Sequence, residues 1–404
     1  MPRTILVIGG GPAGTYAAIA ARKQDPAALV TLLTREACEP YEKPPLSKAV
    51  LLGSAQPEDA LIAGPSGVAS HGVQLETHAH CQTILRSERV VVLEDGRRLP
   101  YDALVIATGA VAREIPLLPM KMPGVHYLRT ETDARALKAS LIPGRRLLVV
   151  GGGLIGLEVA ASAAMIGVAT TVLEVAPRIL ARVCDEQVGA FVHAAHARHG
   201  VDIRVGTSLA SAAPNAGGGF TAATATGDQL IADVVVVGTG SKPDTALAEA
   251  SGLKIDDGIV VDARCRTSDP AIFAAGDVGR FPGPDTLVRL ENWKHALDQG
   301  DVAGRNAAGA DVAYSAVPSF WSEQYDLYIQ GVGWPVPGST RVPRPLDGDR
   351  LLVFEVMDGR IAYAVGINVQ RDLAAVRRLI ERRVPVDATA LADPAQPLNA
   401  MLKR

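Results

Sequence analysis

Residues 147–160 read LLVVGGGLIGLEVA: an apolar strand, a glycine-rich turn and the start of a helix. This stretch decides the fold because the chain carries it twice; residues 5–14 read ILVIGGGPAG. Both copies follow G-x-G-x-x-G, with Gly9, Gly11 and Gly14 in the first and Gly151, Gly153 and Gly156 in the second. The first glycine of such a run makes the tight turn. The second lets backbone approach a pyrophosphate, and the third lets the helix close on the strand. Phosphate then rests on free N–H groups at the positive end of the helix. One such turn is weak evidence; two, each after a strand and before a helix, point to two dinucleotide sites.

The repeat extends outward. Strands are predicted at 5–8 and 30–33 around a helix at 13–23, and at 147–150 and 171–174 around a helix at 154–165. After the first unit comes VVVLEDGRRLPYDALVIATG, with a hairpin signal at Asp95-Gly96. After the second comes TATGDQLIADVVVVGTG. Each run ends in an apolar strand and a small-residue turn, Ala107-Thr108-Gly109 or Gly238-Thr239-Gly240. A further strand at 271–275 ends in GDVGR, followed by a helical segment. Beyond Val317 the pattern changes to antiparallel strands, with a hairpin at Asp358-Gly359 and a helix at 373–383. The expected fold is α/β, with two Rossmann-like dinucleotide-binding domains and a C-terminal α+β domain. The expected division is 1–111 with 245–316 for the first dinucleotide-binding domain, 112–244 for the second, and 317–404 for the last domain.

Composition narrows the function. The 404 residues are 48% hydrophobic and 21% charged, enough for large cores. A net charge of -3 gives no pull toward nucleic acid or a membrane surface. Four scattered cysteines, Cys38, Cys81, Cys184 and Cys265, have no metal or disulfide spacing. Reduced thiols in a cytoplasmic protein are expected, with no signal peptide ahead of the first strand. Residues 147–172 are long and nearly uncharged, but their glycines and Glu158 break them into strand, helix and strand, so no membrane span is expected. His193, His196 and His199 are read as a polar helix face, not a metal site; no metal is expected.

An acid that holds a ribose is expected about 20 residues beyond each glycine run. Glu174, at the end of TTVLE, is the candidate in the second unit and favours NADH over NADPH; Arg178 and Arg182 just beyond weaken that preference. Glu36, beside Arg35, is the candidate in the first. One cradle for a resident flavin and one for an exchanging nicotinamide make a hydride-transfer protein.

The chain resembles the FAD-dependent, NADH-using ferredoxin reductases of aromatic-ring dioxygenases and bacterial P450s. The resemblance rests on VIGGGPAG, PYEKPPLSK, VIATGA, VVGGGLIGLEVA, IFAAGDV, ENW and PSFWSEQYD, in that order along nearly the whole chain. It implies that Gly9, Gly11, Pro12, Ala13 and Gly14 hold the FAD pyrophosphate. Arg35, Glu36, Lys43, Cys81, Ala107, Thr108, Gly109, Arg129, Asp277, Glu291, Asn292 and Trp293 would surround the rest of the flavin cofactor. Gly151, Gly153, Leu154, Ile155, Gly156, Glu174, Arg182 and Gly240 would take NADH.

The same resemblance implies Lys48, Glu158 and Trp321 as the reacting centre. Lys48 would stabilise charge developing at flavin N5, Glu158 would hold the lysine, and Trp321 would lie against the ring. Related peroxidases, oxidases and CoA-disulfide reductases carry a redox cysteine where Lys48 stands, so thiol chemistry is excluded. The implied partner is a [2Fe–2S] ferredoxin, with the enzyme a monomer or homodimer. The basic helix that carries Arg377, Arg378, Arg382 and Arg383 reads either as a solvated face or as the surface on which an acidic ferredoxin docks. A redox sensor akin to apoptosis-inducing flavoproteins and a rubredoxin reductase are the alternatives.

Overall fold

The computed structural model describes residues 1–402. The chain falls into two compact units: Met1–Pro44 with Gln56–Val111 and Ser241–Ala316, and Pro45–Ala55 with Ala112–Gly240 and Val317–Arg404.

The first unit is built on a five-stranded parallel sheet. Its order is Ile272–Ala274, Ala103–Ile106, Thr4–Ile8, Leu29–Leu33, Gln74–Glu76. Apart from the polar edge strand Gln74–Glu76, the strands are short, mostly apolar runs because both faces of a parallel sheet are covered. The helix Pro12–Gln24 is rich in alanine for a packing reason. It lies so close to the helix Trp293–Ala307 that a Cβ on Gly300 would sit 2.3 Å from the Ala13 carbonyl oxygen. At Gly304 it would sit 2.0 Å from that of Ala17. A three-stranded meander, Cys81–Leu85, Val90–Leu93 and Arg98–Pro100, turns at the expected Asp95-Gly96.

The second unit repeats the plan. Its parallel sheet runs Asp202–Arg204, Ala169–Leu173, Arg146–Val150, Val234–Val237, Val125–His126. In both sheets the strand before the glycine turn is flanked by the strand after the helix and by the strand after the meander. The predicted strand 171–174 ends at Leu173, leaving Glu174 just past the C-terminal end of an interior strand.

Residues after Val317 form an antiparallel sheet in the order Ser319–Gln324, Leu327–Gly333, Arg360–Ile367, Leu351–Met357, Thr340–Arg344. The helix Gln370–Glu381 buries Leu373, Ala375, Val376 and Leu379. It begins earlier than the predicted 373–383 and stops where Arg383 adopts a φ of 51°, which a helix cannot continue through. The segment Pro45–Ala55 belongs to this unit because Leu51 is buried in one core with Leu137, Leu157 and Leu327. Among the described residues no helix is long and apolar enough to cross a membrane.

Candidate functional site

The first cradle lies at the start of Pro12–Gln24. Gly9 has φ 116°, and a Cβ there would sit 2.1 Å from the Ala107 carbonyl oxygen. Gly14 packs against the Gly9 carbonyl in the same way, whereas a Cβ on Gly11 would meet nothing within 4 Å. Gly11 caps the helix without a side-chain hydrogen bond, and Pro12 removes one N–H that would need a partner. As in any helix, the N–H groups that follow in the first turn have no acceptor within the helix. That combination fits a pyrophosphate.

Around it, Glu36 accepts hydrogen bonds from the Tyr41 hydroxyl at 2.5 Å and from Lys43 at 3.2 Å. Lys43 also stands over the Tyr41 ring. Arg35 pairs with Asp244 at 3.2 Å. The Asp244 backbone accepts from the Thr108 hydroxyl at 2.7 Å and donates to the Gly109 carbonyl at 3.0 Å. Asp244 therefore joins three of the expected site residues and was invisible to motif reading. Burial pushes the Cys81 thiol up to about 12, so it stays protonated.

At the helix Trp293–Ala307, Asn292 caps the end by accepting the His295 N–H at 2.8 Å. The Trp293 indole donates to Glu42, whose carboxyl burial pushes upward. Glu291 pairs with Arg289. Asp277 sits in the short helical turn Gly276–Val278.

The second cradle repeats the first in detail. Gly151 has φ 114°, with its Cβ position 2.4 Å from the Gly238 carbonyl oxygen; Gly156 packs on Gly151; Gly153 faces open space. Gly153 also caps its helix, Leu154–Ile166, without a side chain. Other helices in this unit use Thr130 and Asp185 for that purpose. Glu174 accepts backbone N–H groups from Gly152 at 2.6 Å and Ala176 at 2.8 Å. A carboxylate has further lone pairs, so these bonds orient it without exhausting it. Ile155 is 49% exposed at the cradle. The exposed Arg182 brings its guanidinium over Gly240. Arg129 precedes a helix capped by the reciprocal Thr130 and Asp133 bonds.

Within the same unit, Lys48 and Glu158 meet. The Lys48 ammonium donates to Glu158 Oε2 at 3.0 Å, with the glutamate side chain 6% and the lysine 16% exposed. Two hydroxyls that the motifs did not single out complete the carboxylate. Ser47 donates to Oε2, and Ser322 donates to Oε1 at 2.6 Å. The Ser162 hydroxyl in turn donates to the Ser47 carbonyl at 2.8 Å. Ser47 and Ser322 are neighbours of Lys48 and Trp321, and that adjacency was the available signal. Along Ser319–Gln324, Ser322 and Gln324 are buried while Trp321 and Glu323 alternate with them. Trp321 therefore projects from the face opposite to the one that meets Glu158.

The three histidines do not form a polar face. His196 is fully buried, bonded to Gln324 at 2.8 Å and to the Tyr325 hydroxyl at 3.1 Å. The period of three residues drifts around the helix, which carries the middle ring inward and leaves His199 exposed. Burial pushes His196 down to about 4 and His295 down to about 3. Both rings are neutral in the fold, and the unfolded chain takes up their protons first. Stability is full above about pH 6.5 and falls as pH drops toward those values. His196 accounts for roughly 3 kcal/mol of that loss. Thermal melting from pH 7 to 4.5 should therefore narrow the gap between wild type and His196→Gln; a constant gap would contradict it.

On the basic helix, Arg377 is held by Glu381 at 3.1 Å and by the Val317 carbonyl at 2.9 Å. Arg378 donates to Asn399 at 3.0 Å. Arg382 and Arg383 are exposed. All four cysteines are free thiols, and Cys184 and Cys265 are buried.

Residues 3–300 match the pyridine nucleotide-disulphide oxidoreductase family, and residues 319–402 match the reductase C-terminal family. The anthranilate 1,2-dioxygenase system ferredoxin–NAD(+) reductase component of Burkholderia cepacia is 41% identical over 401 residues, 98% of each chain. The biphenyl dioxygenase system ferredoxin–NAD(+) reductase component of Paraburkholderia xenovorans is 35% identical, covering 99% of this chain and 98% of its own. The crystal structure of the covalent putidaredoxin reductase–putidaredoxin complex superposes with a TM-score of 0.94. It is 34% identical and covers 99% of this chain and 98% of its own. With its paired cradles, the family match over residues 3–300 and these relatives at 35% and 41% identity, the chain belongs to the pyridine nucleotide-disulphide oxidoreductase family, and to its ferredoxin reductases.

Proposed function

We propose that this protein passes electrons from NADH through FAD to a [2Fe–2S] ferredoxin that feeds an aromatic-ring oxygenase. The observation that carries the proposal is the buried Lys48–Glu158 pair in the unit of the nicotinamide-type cradle, an ammonium where related enzymes use a thiol. Bound FAD supplies the ability to accept a hydride as two electrons and to release them singly.

The chain's own residues bind, orient and supply charge. Gly11 and Gly153 leave room for the two pyrophosphates over uncapped helix ends. Glu36 and Glu174 stand ready for ribose hydroxyls, and Glu174 disfavours a 2′-phosphate by its charge. Glu158, fixed by two serine hydroxyls, holds the Lys48 ammonium in one position. A preplaced positive charge stabilises the negative charge that develops during hydride transfer. Trp293, in the unit of the first cradle, and Trp321, in the unit of the second, each offer a flat aromatic face to a cofactor ring. Free thiols suit the reducing cytoplasm, where we place the enzyme.

The test is anaerobic mixing with NADH, followed by a panel of ferredoxins and rubredoxins. The flavin should bleach with NADH faster than with NADPH, and a [2Fe–2S] ferredoxin should then be reduced. A chromophore that stays oxidised, or electrons delivered only to rubredoxin, would contradict the assignment.

The basic helix Gln370–Glu381 and the arginines after it are assigned to ferredoxin docking. Opposite charges speed encounter more than they tighten the complex. Charge reversal at Arg378 and Arg382 should lower ferredoxin reduction about tenfold at low salt and little at high salt. The same rate at both salts would remove the assignment. Arg377 is a poorer choice for this test, since its bond to the Val317 carbonyl is structural.

A further inference from the structure

We propose that His196, Gln324 and Tyr325 are positioning residues for the Lys48–Glu158 pair, acting through a buried hydrogen-bond chain in which every donor points toward Glu158. The chain runs from the Tyr325 hydroxyl to His196 Nδ1 (3.1 Å) and from His196 Nε2 to Gln324 Oε1 (2.8 Å). It continues from Gln324 Nε2 to the Ser322 hydroxyl (3.1 Å) and from Ser322 to Glu158 Oε1 (2.6 Å). Ser322, Gln324 and His196 are at most 1% exposed.

The direction follows from the anion at one end. A carboxylate only accepts, so Ser322 must give its proton to Glu158 and accept from the Gln324 amide. The Gln324 oxygen then faces His196, whose Nε2 must carry the hydrogen. Nδ1 is left to accept from Tyr325. Burial keeps the ring neutral, as this arrangement needs. Each link therefore fixes the next, and the low-dielectric surroundings strengthen the whole series.

The backbone carries an independent sign. Tyr325 opens the two-residue turn between Ser319–Gln324 and Leu327–Gly333 with φ 57°, a conformation glycine adopts freely and tyrosine does not. Such strain persists where the surroundings hold it. Here the hydroxyl bond to His196 and a parallel stack on His199, with ring centroids 3.7 Å apart, hold it.

The inference rests on the role given above to Lys48 and Glu158, and two readouts separate the two ideas. Nitrogen-15 histidine NMR of the FAD-loaded protein should show His196 with its hydrogen on Nε2. Glu158→Gln should move it to Nδ1. In that variant Lys48 would keep the oxygen of the new side-chain amide, turning the amide N–H toward Ser322 and reversing every link. A His196 tautomer that ignores Glu158→Gln would overturn the chain without any turnover being measured.

In stopped flow, His196→Leu should lower the limiting rate of flavin reduction about tenfold, the worth of one buried hydrogen bond. The apparent Kd for NADH should stay within about twofold, because no N–H of the cradle is touched. His196→Gln, which keeps a donor at the Nε2 position, should restore the rate. Gln324→Glu is the second variant should His196→Leu fail to fold; lacking an N–H, it competes for the Ser322 proton and should show the same loss. Wild-type limiting rates in these disrupting variants would overturn the proposal. A normal rate in Lys48→Ala would instead overturn the role of the pair and leave the tautomer result standing.

Discussion

Lys48→Ala lowers the limiting rate of NADH-driven flavin reduction by about 10²-fold or more, while the purified protein stays yellow. The magnitude is that of removing one preorganised donor from a developing negative charge. The fold should survive, because Glu158 keeps its two serine hydroxyls and is not left bare. Lys48→Arg should recover only part of the rate, since a planar guanidinium does not occupy the place of a compact ammonium. Glu158→Ala is expected to behave differently. It strands a mostly buried ammonium and two donors, and breaking a buried pair from one side costs about 3–5 kcal/mol. Its melting temperature should fall as well as its rate. Rapid-mixing traces of Lys48→Ala that overlay wild type would remove the lysine from the chemistry.

Gly11→Ala yields folded protein without flavin, and Gly153→Ala yields yellow protein with a raised KM for NADH. Neither added methyl meets any atom of the chain within 4 Å, so neither strains the fold. The two N-cap residues sit at φ −79° and −82°, which alanine tolerates. Each methyl instead enters the space a pyrophosphate needs. The KM should rise at least about tenfold, since a displaced phosphate loses more than one charge-assisted bond. Gly9→Ala and Gly151→Ala make the contrast. Their methyls would lie 2.1 and 2.4 Å from carbonyl oxygens, at φ of 116° and 114°, so these variants should not fold. Absorbance at the flavin band, taken with steady-state KM values, separates the four. Full flavin occupancy in Gly11→Ala would move the flavin out of the first cradle.

Much of this was legible in the chain. The two glycine runs, the meanders behind them and the change of pattern after Val317 are all local signals, readable from residues a few positions apart. The resemblance to ferredoxin reductases brought Lys48 and Glu158 to attention. It did not reach the groups that hold them. Ser322 lies 164 residues from Glu158 in sequence, and Asp244 lies 209 from Arg35. His196 was misread because helical spacing says which residues share a face, not which face meets the neighbouring sheet.

By itself, then, the sequence determined the two strand–turn–helix units and where each phosphate could rest. Backbone conformation at glycine and the period of apolar residues are properties of a short window. Only the tertiary structure decided that Ser47, Ser322 and Lys48 converge on one carboxylate, and that a histidine read as surface ends a buried chain leading to it. Those contacts depend on how a strand after residue 317 aligns with the helix Leu154–Ile166. That alignment is set by packing of the whole core, not by any residue's neighbours in the chain.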